Sequence, residues 1–139
     1  MTTDSLARSL IHQARRRLLL VETAIGAGDH HIAVREAQEV AELALKGMLR
    51  AVGAEPAKVH DVSRDLLAMR AVLEEAGLLN IDDLVRDSRR LRRERENAFY
   101  GDVDLLPEDF YGTDDSAEAL ASALACVESA EKVWSSIAS

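Results

Sequence analysis

Cysteine occurs once, at position 126, so the chain can form no internal disulfide and assemble no thiolate zinc site. Set in an alanine-rich helical run, that thiol reads as a buried and inert side chain. Proline occurs twice and aromatic residues make up 4% of the chain, while Ala and Leu abound. Such a balance favours helix over sheet. No apolar run reaches the length of a membrane span. The opening MTTDSLARSL lacks the apolar core of a signal peptide, and a cytoplasmic location is expected. Positive charge is also short: 17 Lys and Arg stand against 25 Asp and Glu, for a net charge of −8. A general affinity for nucleic acid is therefore not expected, although a local basic strip can still hold a phosphate or a short RNA.

Several kinds of chemistry lack support. The four histidines, His12, His30, His31 and His60, form no HExxH or other helical ligand pair, so no metal site is expected. There is no glycine-rich phosphate loop, no GxSxG and no supported Cys–His arrangement. The acidic stretch GDVDLLPEDFYGTDD lacks the glycine and ligand spacing of a calcium loop. No cofactor is implied.

What is present is helical periodicity. The 139 residues suffice for one domain around one core. Leu6, Leu10, Ala14, Leu18, Val21 and Ile25 form one stripe, widened by Ile11 and Leu19, and Gly26 and Gly28 should end that helix. A second helix, capped by Asp29, carries Ala33, Ala37, Val40, Ala44, Met48 and Val52. Its wide apolar face marks it as central. Glu42 and Lys46 form an i,i+4 pair on it. Ser63 should cap a shorter third helix with Leu66, Met69 and Leu73 inward, and Asn80 the fourth. A last helix, capped by Asp114 or Asp115, has Leu120, Ala123, Val127, Ala130, Trp134 and Ile137 as its core line. The predicted fold is all-α, an antiparallel up-and-down bundle of about five helices. Leu105, Leu106, Phe110 and Tyr111 in the acidic connector should fold back onto the bundle or meet a partner.

The stretch LVRDSRRLRRERENAFYGD, residues 84–102, holds six arginines. Leu84, Ser88, Leu91, Arg95 and Ala98 recur on one face, which should point to the core. A guanidinium there either snorkels to the rim or needs a carboxylate, a second subunit or an anionic ligand. Arg89, Arg92, Arg93 and Glu96 read as a solvated face. Asn97 and Tyr100 place polar atoms at the end of the same helix.

Three stretches together resemble the HEPN family of small helical domains. AVREAQEVAELALKGMLRAVG is similar to that family's second helix, KVHDV to the segment before its third, and RERENAFYGD to its late signature helix. The resemblance spans essentially all of residues 1–139 and implies one HEPN-like bundle that dimerises, with the signature helices of two subunits side by side. Many members are metal-independent RNases with an Arg and a downstream His. Others lack the His and bind nucleotides or pair with a small nucleotidyltransferase. Arg95 matches the signature Arg and Glu96 the polar residue after it, while Tyr100 stands where His is expected. With a pKa of about 10 against about 6.5 for His, Tyr is the poorer general base at neutral pH.

The resemblance thus implies a nucleotide- or RNA-phosphate-binding homodimer, with a nucleotidyltransferase partner in a toxin–antitoxin or defence module. Its candidate ligand residues are Arg95, Glu96, Asn97, Tyr100, Arg92 and Lys46. Two rivals stand beside it. One is a metal-independent endoribonuclease using Arg95 and Tyr100 as catalytic residues. The other is a non-catalytic adaptor that grips a protein through Leu106, Phe110 and Tyr111.

Overall fold

The computed structural model describes residues 3–56, 61–100 and 106–138, with the side chains of 5–56, 61–94 and 106–138. Over these the chain forms α1 (Thr3–Gly26), α2 (His30–Ala51), α3 (Val62–Ala68), α4 (Arg70–Glu75), α5 (Ile81–Tyr100), α6 (Pro107–Phe110) and α7 (Thr113–Ala138). No strand occurs among the described residues. The four long helices run up, down, up and down. Arg15 reaches Glu131 at 2.6 Å, His30 meets Ser116 at 2.8 Å, and Asn80 meets Ser129 at 3.2 Å. These pairs set α1 and α5 antiparallel to α7, and start α2 and α7 at the same end.

As its alanine-rich face predicts, α2 is the central helix. Leu45, Met48 and Leu49 are fully buried among Val21, Leu84, Leu91, Val127 and Val133. The α1 stripe is turned slightly from the expected line. Ala7, Ile11, Ala14, Leu18, Val21 and Ala24 are buried, whereas Leu19, expected to widen the stripe, is 61% exposed. Close packing at Gly47 explains the rotation. A Cβ there would lie 2.7 Å from Ile11 Cγ1 and 3.1 Å from the Ala7 carbonyl oxygen, so α2 approaches α1 where a small residue faces it. Gly28 stops α1 at φ +79°, which a side chain would strain, while Gly26 remains helical.

The third predicted helix is divided at Met69 into α3 and α4. Its cap is also different: Asp61 accepts from the Ser63 amide at 3.0 Å. Ser63 lies inside the helix rather than ahead of it, and its buried hydroxyl accepts from Arg89 Nε at 3.0 Å. The last helix starts at Thr113, ahead of both expected caps, Asp114 and Asp115. Asp115 reaches back from that first turn to accept the Gly112 N–H at 2.8 Å. Two expected core positions are more open, Trp134 half-buried and Ile137 40% exposed. The connector divides its apolar residues. Tyr111 is 5% exposed and folds back, whereas Leu106 and Phe110 are 57% and 50% exposed; Leu105 lies outside the described residues.

Candidate functional site

Helix α5 carries three faces, each set by 100° per residue. Leu84, Ser88 and Leu91 point into the core and are buried. A second face meets α3 and α2. There Arg89 holds Ser63 and lies 4.0 Å from Asp61 Oδ2. Arg92, exposed at its outer side, lines a cavity of about 10 Å³ with Gln38, Glu42, Asp61 and Ser88. That volume suits one water-sized group and excludes a nucleotide. Along α2 the polar line continues, with Gln38 Nε2 donating to Glu42 Oε2 at 3.2 Å and Lys46 Nζ 3.1 Å from Glu42 Oε1. Partial burial opposes the charge on Asp61, but the Ser63 hydroxyl and amide and the cations Arg92 and Arg89 outweigh it. The carboxyl is therefore held below its usual range.

The remaining face of α5 looks toward α7. Arg90 is three-quarters buried on its side chain, and its partners are Glu118 at 2.7 Å, Asp87 at 3.8 Å and the Ser122 hydroxyl. Beside it opens a cleft of about 340 Å³ lined by Arg86, Asp87, Arg90, Glu118, Ala121 and Ser122. Toward the end of the helix a second cavity, of about 80 Å³, lies against Glu94 and Tyr111. The Tyr111 hydroxyl donates to Glu94, 2.8 Å from Oε2 and 3.0 Å from the carbonyl oxygen. Arg90 and Glu94 did not stand out from the arginine run in sequence. For Arg90 the signal is Glu118 and Ser122 four residues apart on α7, and for Glu94 it is Tyr111; each has meaning only once α5, α6 and α7 are known to be neighbours.

The structure places the sequence candidates unevenly. Arg95, Glu96, Asn97 and Tyr100 belong to the last turns of α5, and their side chains lie outside the described residues. In register, Arg95 continues the line of Leu84, Ser88 and Leu91. Tyr100 follows it by five residues, about 140° round the axis, and Asn97 by two, about 200°. Arg92 and Lys46 both border the α2–α3–α5 seam through Glu42. Because α2 and α5 run antiparallel, Lys46 lies on the side of that cavity away from the end of α5.

His60 is outside the described residues, and His30 pairs with Ser116. Among the described residues, no three His, Cys, Asp or Glu side chains converge to hold a metal ion. Burial, aided by the charge of Asp87, pushes the Cys126 thiol up to about 12, so it carries no reactive thiolate. No described helix is long and apolar enough to cross a membrane.

No curated protein and no solved structure matches the chain. A family model described as HEPN domain matches residues 7–138, from the first turns of α1 to the end of α7, and so takes in both flanks of α5. With that match over nearly its whole length, and an all-helical bundle to go with it, the chain belongs to the HEPN domain family.

Proposed function

We propose that this chain, as one domain over residues 1–139, binds the phosphate of a nucleotide or RNA at the C-terminal end of α5 and works as a cytoplasmic homodimer. The observation that carries this reading is the burial of Leu84, Ser88 and Leu91, since Arg95 is the next position on that face. A cation following a buried stripe, where it does not snorkel to the rim, needs an anion or a second subunit. Arg95 supplies the charge, Asn97 and Tyr100 donate hydrogen bonds to the phosphate, and Glu96, an acceptor only, takes a ligand hydroxyl. Arg92 adds a second cation one turn earlier, while Lys46, paired with Glu42 and farther along the seam, is the most remote of the candidate residues. The angular spread of Arg95, Asn97 and Tyr100 round one helix favours a site shared by two α5 helices over one built within a single chain. Family membership supports a nucleotidyltransferase partner in a toxin–antitoxin or defence module.

Tyr100 in the position of the signature His favours binding over cleavage. A phenol can donate to a phosphate oxygen or a developing oxyanion, but it accepts a proton poorly at neutral pH. Calorimetry with ATP and a short RNA should show binding by the wild type and its loss in Arg95→Ala, with Arg93→Ala unchanged. Absence of wild-type binding to both would overturn the proposal. Running the RNA with EDTA present separates the enzymatic rival: metal-independent cleavage, lost in Arg95→Ala, would make the chain an endoribonuclease.

A further inference from the structure

Where α5 ends and α7 begins, an apolar shoulder stands beside an acidic slot. The shoulder is α6, with Leu106 57% and Phe110 50% exposed. Its backbone is anchored, because the next residue, Tyr111, is buried and bonded to Glu94. The Phe110 ring meets that of Tyr111 edge-on, centroids 4.9 Å apart at 70°. The slot is the cavity of about 80 Å³ between α5, α7 and Tyr111. Its floor is apolar, made of Val34, Leu91 and Ala119.

Charge on the rim is unbalanced. Among the described residues, Glu94, Asp115 and Glu118 face one guanidinium, that of Arg90, for a formal charge of −2. Arg90 is committed to Glu118 at 2.7 Å. Glu94 and Asp115 accept from the Tyr111 hydroxyl and the Gly112 amide, and neither has an ion pair among the described residues. Glu108, Asp109 and Asp114 lie alongside and extend the negative field.

We infer that this corner is a docking site for a basic segment of a partner protein. A Lys or Arg enters the slot, its stem on Val34, Leu91 and Ala119 and its head between Glu94 and Asp115. An apolar neighbour covers Leu106 and Phe110. Long cationic side chains are the groups that pair an apolar stem with a charged head. The slot's acids are too spread to chelate a metal ion, since among the described residues no three converge. Inside the slot a phosphate finds no free cation among the described residues, since Arg90 is held by Glu118. The apolar shoulder outside the slot distinguishes a protein segment from a small free cation. None of these residues is Arg95, Glu96, Asn97 or Tyr100, so the inference does not depend on phosphate binding.

The test is an NMR titration of the full-length protein with a capped pentapeptide carrying a central lysine between leucines. Its twin with norleucine at the centre, and spermidine, are run in parallel. The expected result is saturable shifts at Val34, Leu91 and Ala119 for the lysine peptide, about tenfold weaker for the norleucine twin. Glu94→Gln and Asp115→Asn keep both hydrogen-bond acceptors and remove the charges, so each should weaken the lysine peptide without unfolding the protein. Leu106→Ser with Phe110→Ser should weaken both peptides and leave spermidine unaffected. Absence of saturable shifts at these residues, equal binding of lysine and norleucine peptides, or spermidine binding as tightly as the lysine peptide would overturn the inference.

Discussion

Toward α3 and α2, the arginines of α5 meet side chains that close the space between helices; toward α7, Arg90 is closed in but the space around it stays open. On the first side Asp61, Ser88, Glu42 and Gln38 leave a cavity of about 10 Å³. On the second, clefts of about 340 Å³ and 80 Å³ remain, and two of the acids on the smaller one have no ion pair among the described residues. Both flanks come from one helix and one run of arginines. What an arginine can do is therefore set by what the neighbouring helix offers. A short helix laid into the groove, α3, supplies partners and fills it. On the other flank α6 meets only the end of α5, and the groove between α5 and α7 survives as a place for something else to bind.

The largest way to break this contrast is to remove what holds α5 in place for both flanks. Leu91 is fully buried beneath them. Leu91→Ala should cost about 2–5 kcal/mol by denaturant unfolding, and loss of less than about 1 kcal/mol would mean α5 is not seated as described. Next in size is Arg90→Met, which strips the open side of its organising cation but keeps the stem. We expect a loss of about 1–2 kcal/mol, below the cost of breaking a fully buried pair because Glu118 can turn to water. Smaller again is Tyr111→Phe, at about 1 kcal/mol for a hydrogen bond to a charged acceptor that stays partly solvated. Hydrogen exchange should locate it: amides around Gly112 and Ser116 should exchange faster, with the α3 amides unchanged. Equal acceleration on both sides of α5 would remove the contrast.

How much of this was legible in the sequence follows from the range of each interaction. The stripe of Leu84, Ser88 and Leu91 and the breadth of α2 are local periodicities, and they appear in the fold as read. The Asp61 cap was missed because Ser63 is an equally good local capping residue. The helix starts one residue before Ser63, whose hydroxyl serves Asp61 and the distant Arg89 instead. Leu19 was read as core because spacing alone does not show which of two adjacent faces meets Gly47. Tyr111 and Phe110 are adjacent in sequence and opposite in burial, a split decided by Glu94 seventeen residues earlier. Of the candidate site, Arg92 and Lys46 border one seam through Glu42, which α2 and α5 build only together. Arg90 was hidden by its equally basic neighbours.

The closed seam offers the smallest and most specific prediction, because Asp61 is held ionised by its surroundings. Asp61→Asn keeps an oxygen to cap α3, since Asn caps about as well as Asp. It removes the negative charge that the Ser63 hydroxyl and amide and the cations Arg92 and Arg89 favour, and the expected loss at neutral pH is about 0.5 kcal/mol. The folded carboxyl titrates below its unfolded value of about 3.9, so the native state favours the charged form. The stabilisation it brings is therefore complete above about pH 4 to 5 and is lost as pH falls through the lower folded value. The stability gap between wild type and Asp61→Asn should be constant near neutrality and shrink toward zero in acid, measured by urea unfolding from pH 7 down to about pH 2.5. The other carboxylates titrate in both proteins and cancel in the difference. A gap that persists unchanged into acid would mean the carboxyl acts only as a neutral cap, and that Arg89 and Arg92 are not closed in by charge on this side. The physical distinction between the two flanks of α5 would then rest on packing alone.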